Sequence, residues 1–179
     1  GATIAWHAAA DGRVLVLEAE QAPGYHATGR SAALYAAAYG PPAIRALTRA
    51  SHDFFVAPPP GFADGPLLAP RGTLFVGSSA QRPALDAFRA TLRAEGSSVE
   101  ALSGEAARER VPVLRPEASA VAVYDPDAHD IDVDRLLQGF LRGARARGAA
   151  FESNARIVRL SHDGAVWRLD TDDGRRYAA

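Results

Sequence analysis

The sequence predicts an α/β fold: a parallel, helix-fed sheet at its start and an antiparallel β-meander at its end. Three observations carry that prediction. Small residues over 1–10 read as a helix, stop at Asp11-Gly12 and feed directly into the apolar run Arg13 to Leu17. A helix leading straight into a fully buried apolar strand implies a parallel α/β sheet. A long amphipathic helix over 132–147 then precedes a strand at 149–152. Beyond it, Asp163-Gly164 and Asp173-Gly174 occupy hairpin positions, so 156–160, 165–170 and 175 onward form a meander.

Taken in order, Gln21 to Gly29 is a loop punctuated by Pro23, Gly24 and Gly29, and the alanine-rich stretch Ser31 to Tyr39 predicts a helix. Pro41-Pro42 breaks it. A helix resumes over Ala43 to Val56, with Ile44, Leu47, Phe54 and Phe55 on its buried side. Pro58-Pro59-Pro60-Gly61 excludes regular structure, and the chain as far as Pro70 reads as a loop crossing between domains. Gly72 to Val76 predicts a strand and Ala80 to Glu95 an amphipathic helix, while Ser103 caps a short helix ended by Pro112. Val121 to Tyr124 is a strand and Asp125 to Asp130 a polar turn. The helix over 132–147 is the clearest: Leu136, Leu137, Phe140, Leu141 and Ala144 share one face, acids lie at its start, arginines at its end, and Gly148 stops it.

Composition narrows the function. With 47% hydrophobic and 23% charged residues, 179 residues suffice for a globular core. Twenty basic against 21 acidic side chains leave a formal charge of −1, so no field draws in nucleic acid or an anionic membrane. There is no cysteine; disulfides and thiolate metal sites are excluded, and any redox chemistry must come from a cofactor. No apolar run approaches the roughly 18 residues of a membrane span, and no signal-peptide order is present. The expected compartment is the cytoplasm. Methionine is absent and Gly1 falls inside a helix, so the chain reads as a piece of a longer protein. Alone it is expected to be poorly stable, with sheet edges left unpaired.

The string "GATIAWHAAADGRVLVLEAEQAPGYHATGRSAALY", followed by "RGTLFVG", "DPDAHDIDVDRLLQGFLRGARARGAAF" and "NARIVRL", resembles the FAD-dependent oxidoreductases of the D-amino-acid oxidase, glycine oxidase and sarcosine oxidase type. The resemblance implies a Rossmann-like FAD-binding domain made of 1–68 and 130–179, with 69–129 beginning a mixed α+β substrate or cap domain. It also implies removal of a hydride from a carbon bearing an amine or a hydroxyl, a small-molecule amino acid or amine substrate, and reoxidation by oxygen or a respiratory carrier. The family's catalytic groups are expected beyond Ala179, so none is assigned here.

By the same resemblance, Gly1 matches the third glycine of the dinucleotide motif GxGxxG, where the backbone approaches a pyrophosphate. Glu18, at the end of the apolar strand, is the candidate for the ribose hydroxyls, against the reading of a solvated strand end. Glu20 is set aside. Thr28, Gly29, Arg30 and Ser31 lie where a helix is expected to begin, so a cation, a hydroxyl and free N–H groups converge on an anion; capping by Ser31 or Thr28 is compatible with that. His26, in "YHATG", is loosely similar to the segment in which dimethylglycine and sarcosine dehydrogenases carry a covalent flavin, and is read here as a non-covalent loop histidine near the flavin ring. Ile157 is expected to contact adenine through its main chain. His129 with Asp125, Asp127, Asp130, Asp132 and Asp134 fits no calcium loop and reads as a polar turn before a helix, with no metal. Two alternatives remain: an FAD-dependent 2-hydroxyacid or glycerol-3-phosphate dehydrogenase, and a non-catalytic or NAD(P)-binding α/β module.

Overall fold

A computed structural model describes all 179 residues. In chain order the elements are α1 (Ala2–Ala8), β1 (Leu15–Leu17), β2 (Leu34–Tyr35), α2 (Pro42–Ala50), α3 (His52–Val56), β3 (Leu68–Pro70), β4 (Thr73–Gly77), α4 (Arg82–Ala94), β5 (Glu100–Ser103), α5 (Gly104–Arg110), β6 (Val121–Asp125), β7 (His129–Ile131), α6 (Val133–Ala146), β8 (Ala150–Glu152), β9 (Ile157–His162), β10 (Trp167–Thr171) and β11 (Arg176–Ala178). They fall into two units: one of Gly1–Ala32, Pro59–Gly65 and Val133–Ala179, the other of Ala33–Pro58 and Pro66–Asp132. This division differs from the sequence boundaries, because 33–58 belongs with the second unit.

In the first unit β1 and β8 run parallel, in register Leu15↔Ala150, Val16↔Phe151 and Leu17↔Glu152. Small residues let α1 and α6 lie close: Ala5, Ala9, Ala144 and Ala149 form the buried cluster, with Trp6, Val14, Val16 and Phe151 packed against it. Leu141 and Ala144 bury the face of α6 that the periodicity marks out. The meander is present as β9, β10 and β11, antiparallel throughout, and Gly164 and Gly174 take the positive φ that its two turns require.

In the second unit β4, β6 and β5 make one antiparallel sheet, against which α4 packs Leu85, Phe88 and Leu92 around Val99, Val123 and Phe75. Ser103 caps α5, its hydroxyl accepting from the Ala106 N–H at 3.1 Å. A second small sheet joins β2, β7 and β3.

Four expectations are corrected. No helix spans 31–39: Ala33 sits at φ +52 and Leu34–Tyr35 pairs with His129 and Asp130. Tyr35 is buried with its ring beside His52, Phe55 and His129, and its hydroxyl donates to the Thr48 carbonyl; these contacts outweigh alanine's intrinsic preference. The helix over 43–56 is two helices meeting at Ser51, begun by Pro42. Ile44 and Leu47 are exposed on it and the buried member is Arg45. The strand over 13–17 is three residues long and half-buried, and it pairs with β8 alone. The polar turn over 125–130 gives way at His129 to β7.

Candidate functional site

The parallel pair of the first unit delivers its chain ends to one edge. Past Leu17, the Glu18 N–H donates to the Glu152 carbonyl at 2.8 Å, and the Ala155 N–H donates to the Glu18 carbonyl at 2.8 Å. A cleft of ≈ 300 Å³ opens at that edge. Val16, Phe151, Leu137 and Leu141 give it apolar walls, Gly1 and Ala2 bring the N-terminal end of α1 to it, and Glu18, Glu152 and Ser153 also line it. Gly24, at φ +88, lets the loop pass close over α6: a Cβ there would stand 2.5 Å from Leu137 Cδ2.

Of the residues singled out by sequence, Gly1, Glu18, His26 and Thr28 line this cleft. Glu18 is half-buried, and its Oε1 accepts from the Glu20 N–H at 3.0 Å. Glu20 itself turns to His26, whose Nε2 lies 2.9 Å from its Oε1, and to Arg156 at 3.6 Å. The hydrogen bond from His26 holds the Glu20 carboxyl below its ordinary range. Gly29 shapes the loop, its N–H donating to the Gly24 carbonyl at 2.6 Å, and a Cβ at this position would stand 2.9 Å from that oxygen. Arg30 and Ser31 begin no helix, because 21–31 is a succession of turns and bends. Arg30 stacks over the Tyr25 ring, 4.8 Å from its centroid, and the Ser31 hydroxyl donates to the Thr28 carbonyl at 2.9 Å. Neither lines the cleft, nor does Ile157, which opens β9 opposite Thr171.

A family model described as FAD dependent oxidoreductase matches residues 1–179. The chain belongs to the FAD-dependent oxidoreductase family. Its fold is shared with proteins of known structure. Glycine oxidase from Geobacillus kaustophilus is 23% identical, with a TM-score of 0.79, over 100% of this chain and 50% of that one. NikD, an amino acid oxidase essential for nikkomycin biosynthesis, is 23% identical with a TM-score of 0.77, over 99% and 46%. L-α-Glycerophosphate oxidase from Mycoplasma pneumoniae, solved with FAD bound, is 12% identical with a TM-score of 0.77, over 96% and 47%. The chain thus spans about half the length of the structures it matches. No helix in it is long and apolar enough to cross a membrane.

For a member of a flavin family the donor set of the cleft is apt. An acid at the carboxyl end of a parallel strand suits ribose hydroxyls, and the start of a helix suits a phosphate. FAD is a dinucleotide, and a cleft of ≈ 300 Å³ takes in only part of it, so residues outside it remain eligible for the rest.

Sequence reasoning passes over Glu152, Ser153, Arg145 and Phe151, which also line the cleft. Arg145 lies over the Phe151 ring, 4.8 Å from the centroid. The signal that marks Glu18, an acid ending an apolar strand, is present at Glu152 as well, since "AAFE" ends the next parallel strand. The acids near His129 are engaged locally: Asp125 accepts from the Asp127 N–H at 3.0 Å, His129 Nδ1 lies 2.8 Å from the Asp127 carbonyl, and Asp130 pairs with Arg71 at 2.7 Å.

Proposed function

We propose that the full-length protein oxidises an amino acid or other amine at its C–N bond, and that the first unit holds the adenosine half of FAD. The observation that carries this reading is the cleft at the end of β1 and β8, where Glu18 meets the N-terminal end of α1. FAD supplies the hydride acceptor, and water hydrolyses the imine left behind. Glu18 accepts from the ribose hydroxyls, Gly1 gives the pyrophosphate close access to the backbone, and His26 and Thr28 line the path from the ribose onward. Gly29 keeps that loop tight, and Arg30 and Ser31 serve the part of the cofactor that extends beyond the cleft. The main chain of Ile157 meets the adenine. The residues 69–129 begin the substrate-binding side, and electrons leave to oxygen or a respiratory carrier.

The likeness to glycine oxidase and to NikD supports an amine substrate. A second reading, oxidation of a hydroxyl in a 2-hydroxyacid or glycerol phosphate, draws on the likeness to L-α-glycerophosphate oxidase. Membership of a flavin family favours FAD over a nicotinamide cofactor. Flavin absorbance of the purified full-length protein tests the cofactor. A panel of amino acids, N-methylated amines and hydroxyacids, read by peroxide release and by an artificial electron acceptor, then separates amine from alcohol oxidation and oxidase from dehydrogenase. A colourless protein overturns the proposal.

A further inference from the structure

Three segments of the first unit meet at Glu20. Its N–H donates to Glu18 Oε1 at 3.0 Å, at the end of β1. Its carbonyl accepts from the Asn154 N–H at 3.0 Å, in the segment between β8 and β9. Its Oε1 lies 2.9 Å from His26 Nε2, in the loop over 21–31, and 3.6 Å from Arg156 Nη2. We propose that Glu20 is a positioning residue for the cofactor: its carboxylate braces the loop wall of the cleft through His26 while its N–H holds Glu18, and together these slow the release of FAD. This rests on the FAD reading above.

Pro23, Gly24, His26, Ala27 and Thr28 all line the cleft, so the loop is one of its walls. The hydrogen bonds that shape this loop close within it. The Gly29 N–H donates to the Gly24 carbonyl at 2.6 Å, the Arg30 N–H to the His26 carbonyl at 3.1 Å, and the Ser31 hydroxyl to the Thr28 carbonyl at 2.9 Å. The bond that joins the loop to the strand end is the one between His26 and Glu20. That bond, with the charge of Arg156 adding to it, holds the Glu20 carboxyl below its ordinary range. An ionised carboxylate only accepts, so His26 Nε2 carries the hydrogen they share.

The competing role is that of an ordinary surface pair, which contributes little. The His26 side chain is 60% exposed and that of Glu20 30%. This pair differs in its anchorage. The Glu20 backbone is fixed on both sides, by Glu18 and by Asn154, so closing the contact orders few further rotations. Glu20 does not itself line the cleft, and its effect on a ligand passes through the wall it holds.

The test is the rate at which FAD leaves the full-length protein, followed by flavin fluorescence after dilution. Glu20→Ala should release FAD about two- to fivefold faster than the wild type, the range of an exposed charge pair. His26→Ala should do the same, and the double variant should release it no faster than either single one, because both remove one hold. Glu20→Gln keeps an oxygen for His26 Nε2 and should recover most of the wild-type rate. An unchanged rate in Glu20→Ala, whatever happens to its thermal midpoint, overturns the proposal, as do two substitutions whose effects multiply. If Glu20→Ala does not fold, the same bond is read from its other end: His26→Gln keeps a donor for Glu20. Slower release from His26→Gln than from His26→Ala supports the brace, and equal rates overturn it. A wild-type protein that takes up no FAD overturns the FAD reading itself, a failure seen before any variant is compared.

Discussion

Carboxylates in the two units are used in opposite ways. In the second unit Glu95, just past α4, has both oxygens closed. Its Oε2 accepts from Arg45 Nε at 2.9 Å and Arg49 Nη1 at 3.1 Å, and its Oε1 from Arg45 Nη2. Arg45 is 7% exposed, and its Nη1 donates to the Gly40 carbonyl at 2.6 Å. In the first unit Glu18, which lines the cleft, engages one oxygen with the Glu20 N–H and leaves the other unengaged. Both kinds of acid sit at the end of an element. The protein completes the hydrogen bonds of Glu95, which leaves nothing for a ligand, and does not complete those of Glu18.

The sharpest way to break this contrast is Glu18→Ala in the full-length protein. FAD affinity should fall about 10- to 100-fold, while the thermal midpoint of the protein stripped of cofactor stays near that of the wild type. Equilibrium titration with FAD measures the first and thermal unfolding the second. Unchanged retention removes Glu18 from the site. Gly104→Ala should do the reverse. A Cβ there would overlap the Ser119 carbonyl oxygen and stand 3.0 Å from two backbone atoms of Ala120. Backbone cannot swing aside, so a loss of about 1–3 kcal/mol is expected, with FAD affinity per folded molecule unaltered. Denaturant unfolding read beside the titration checks both.

Acid should distinguish the closed carboxylate by its own signature. The hydrogen bond from Arg45, with Arg49 adding to it, pushes Glu95 from 4.5 down to about 2. A depressed pKa stabilises the fold above the unfolded value and is lost as pH falls through the folded one. The urea midpoint of the wild type should therefore drop between about pH 5 and pH 2.5. Arg45→Met should start lower at pH 5 and fall less over the same window. Parallel curves would show that the Arg45–Glu95 contact contributes nothing to folding.

How far the sequence leads follows from the range of each signal. Helix α6, helix α4 and the meander are legible because periodicity, caps and Asp-Gly turns act over a few neighbouring residues. The sheet of β2, β7 and β3 is invisible to that reading. Its strands are two or three residues long and exist through partners far along the chain, Leu34 with Asp130 and Leu68 with Ile131. The same reach explains the 31–39 stretch, where alanines speak for a helix and the burial of Tyr35 decides otherwise. At the cleft, the expectation for Glu18 rests on its place after an apolar run. Glu152 carries the same mark, but its pairing with Leu17, which turns it to the face opposite Glu18, is not readable from the sequence. The convergence of Arg30 and Ser31 presumes a helix start that the turns around Gly29 do not form.

The smallest expected effect concerns a carboxylate that belongs to neither kind. Asp125, at the end of β6, is 2% exposed, and its side chain accepts one hydrogen bond, from the Asp127 N–H at 3.0 Å. Burial pushes its pKa up, and that N–H offsets only part of the rise. The sign is opposite to that of Glu95. A raised carboxyl favours the fold below its unfolded value, and that advantage is lost as pH rises through the folded one, so at neutral pH the ionised group opposes folding. Asp125→Asn keeps an oxygen for the Asp127 N–H and removes the charge. Stability at pH 7 should rise slightly, and the gap should shrink toward pH 3, where the wild-type carboxyl is itself protonated. Urea midpoints of the two proteins at pH 7 and pH 3 measure this. A variant less stable than wild type at pH 7 would mean that Asp125, like Glu95, is a carboxylate whose charge the protein has closed upon.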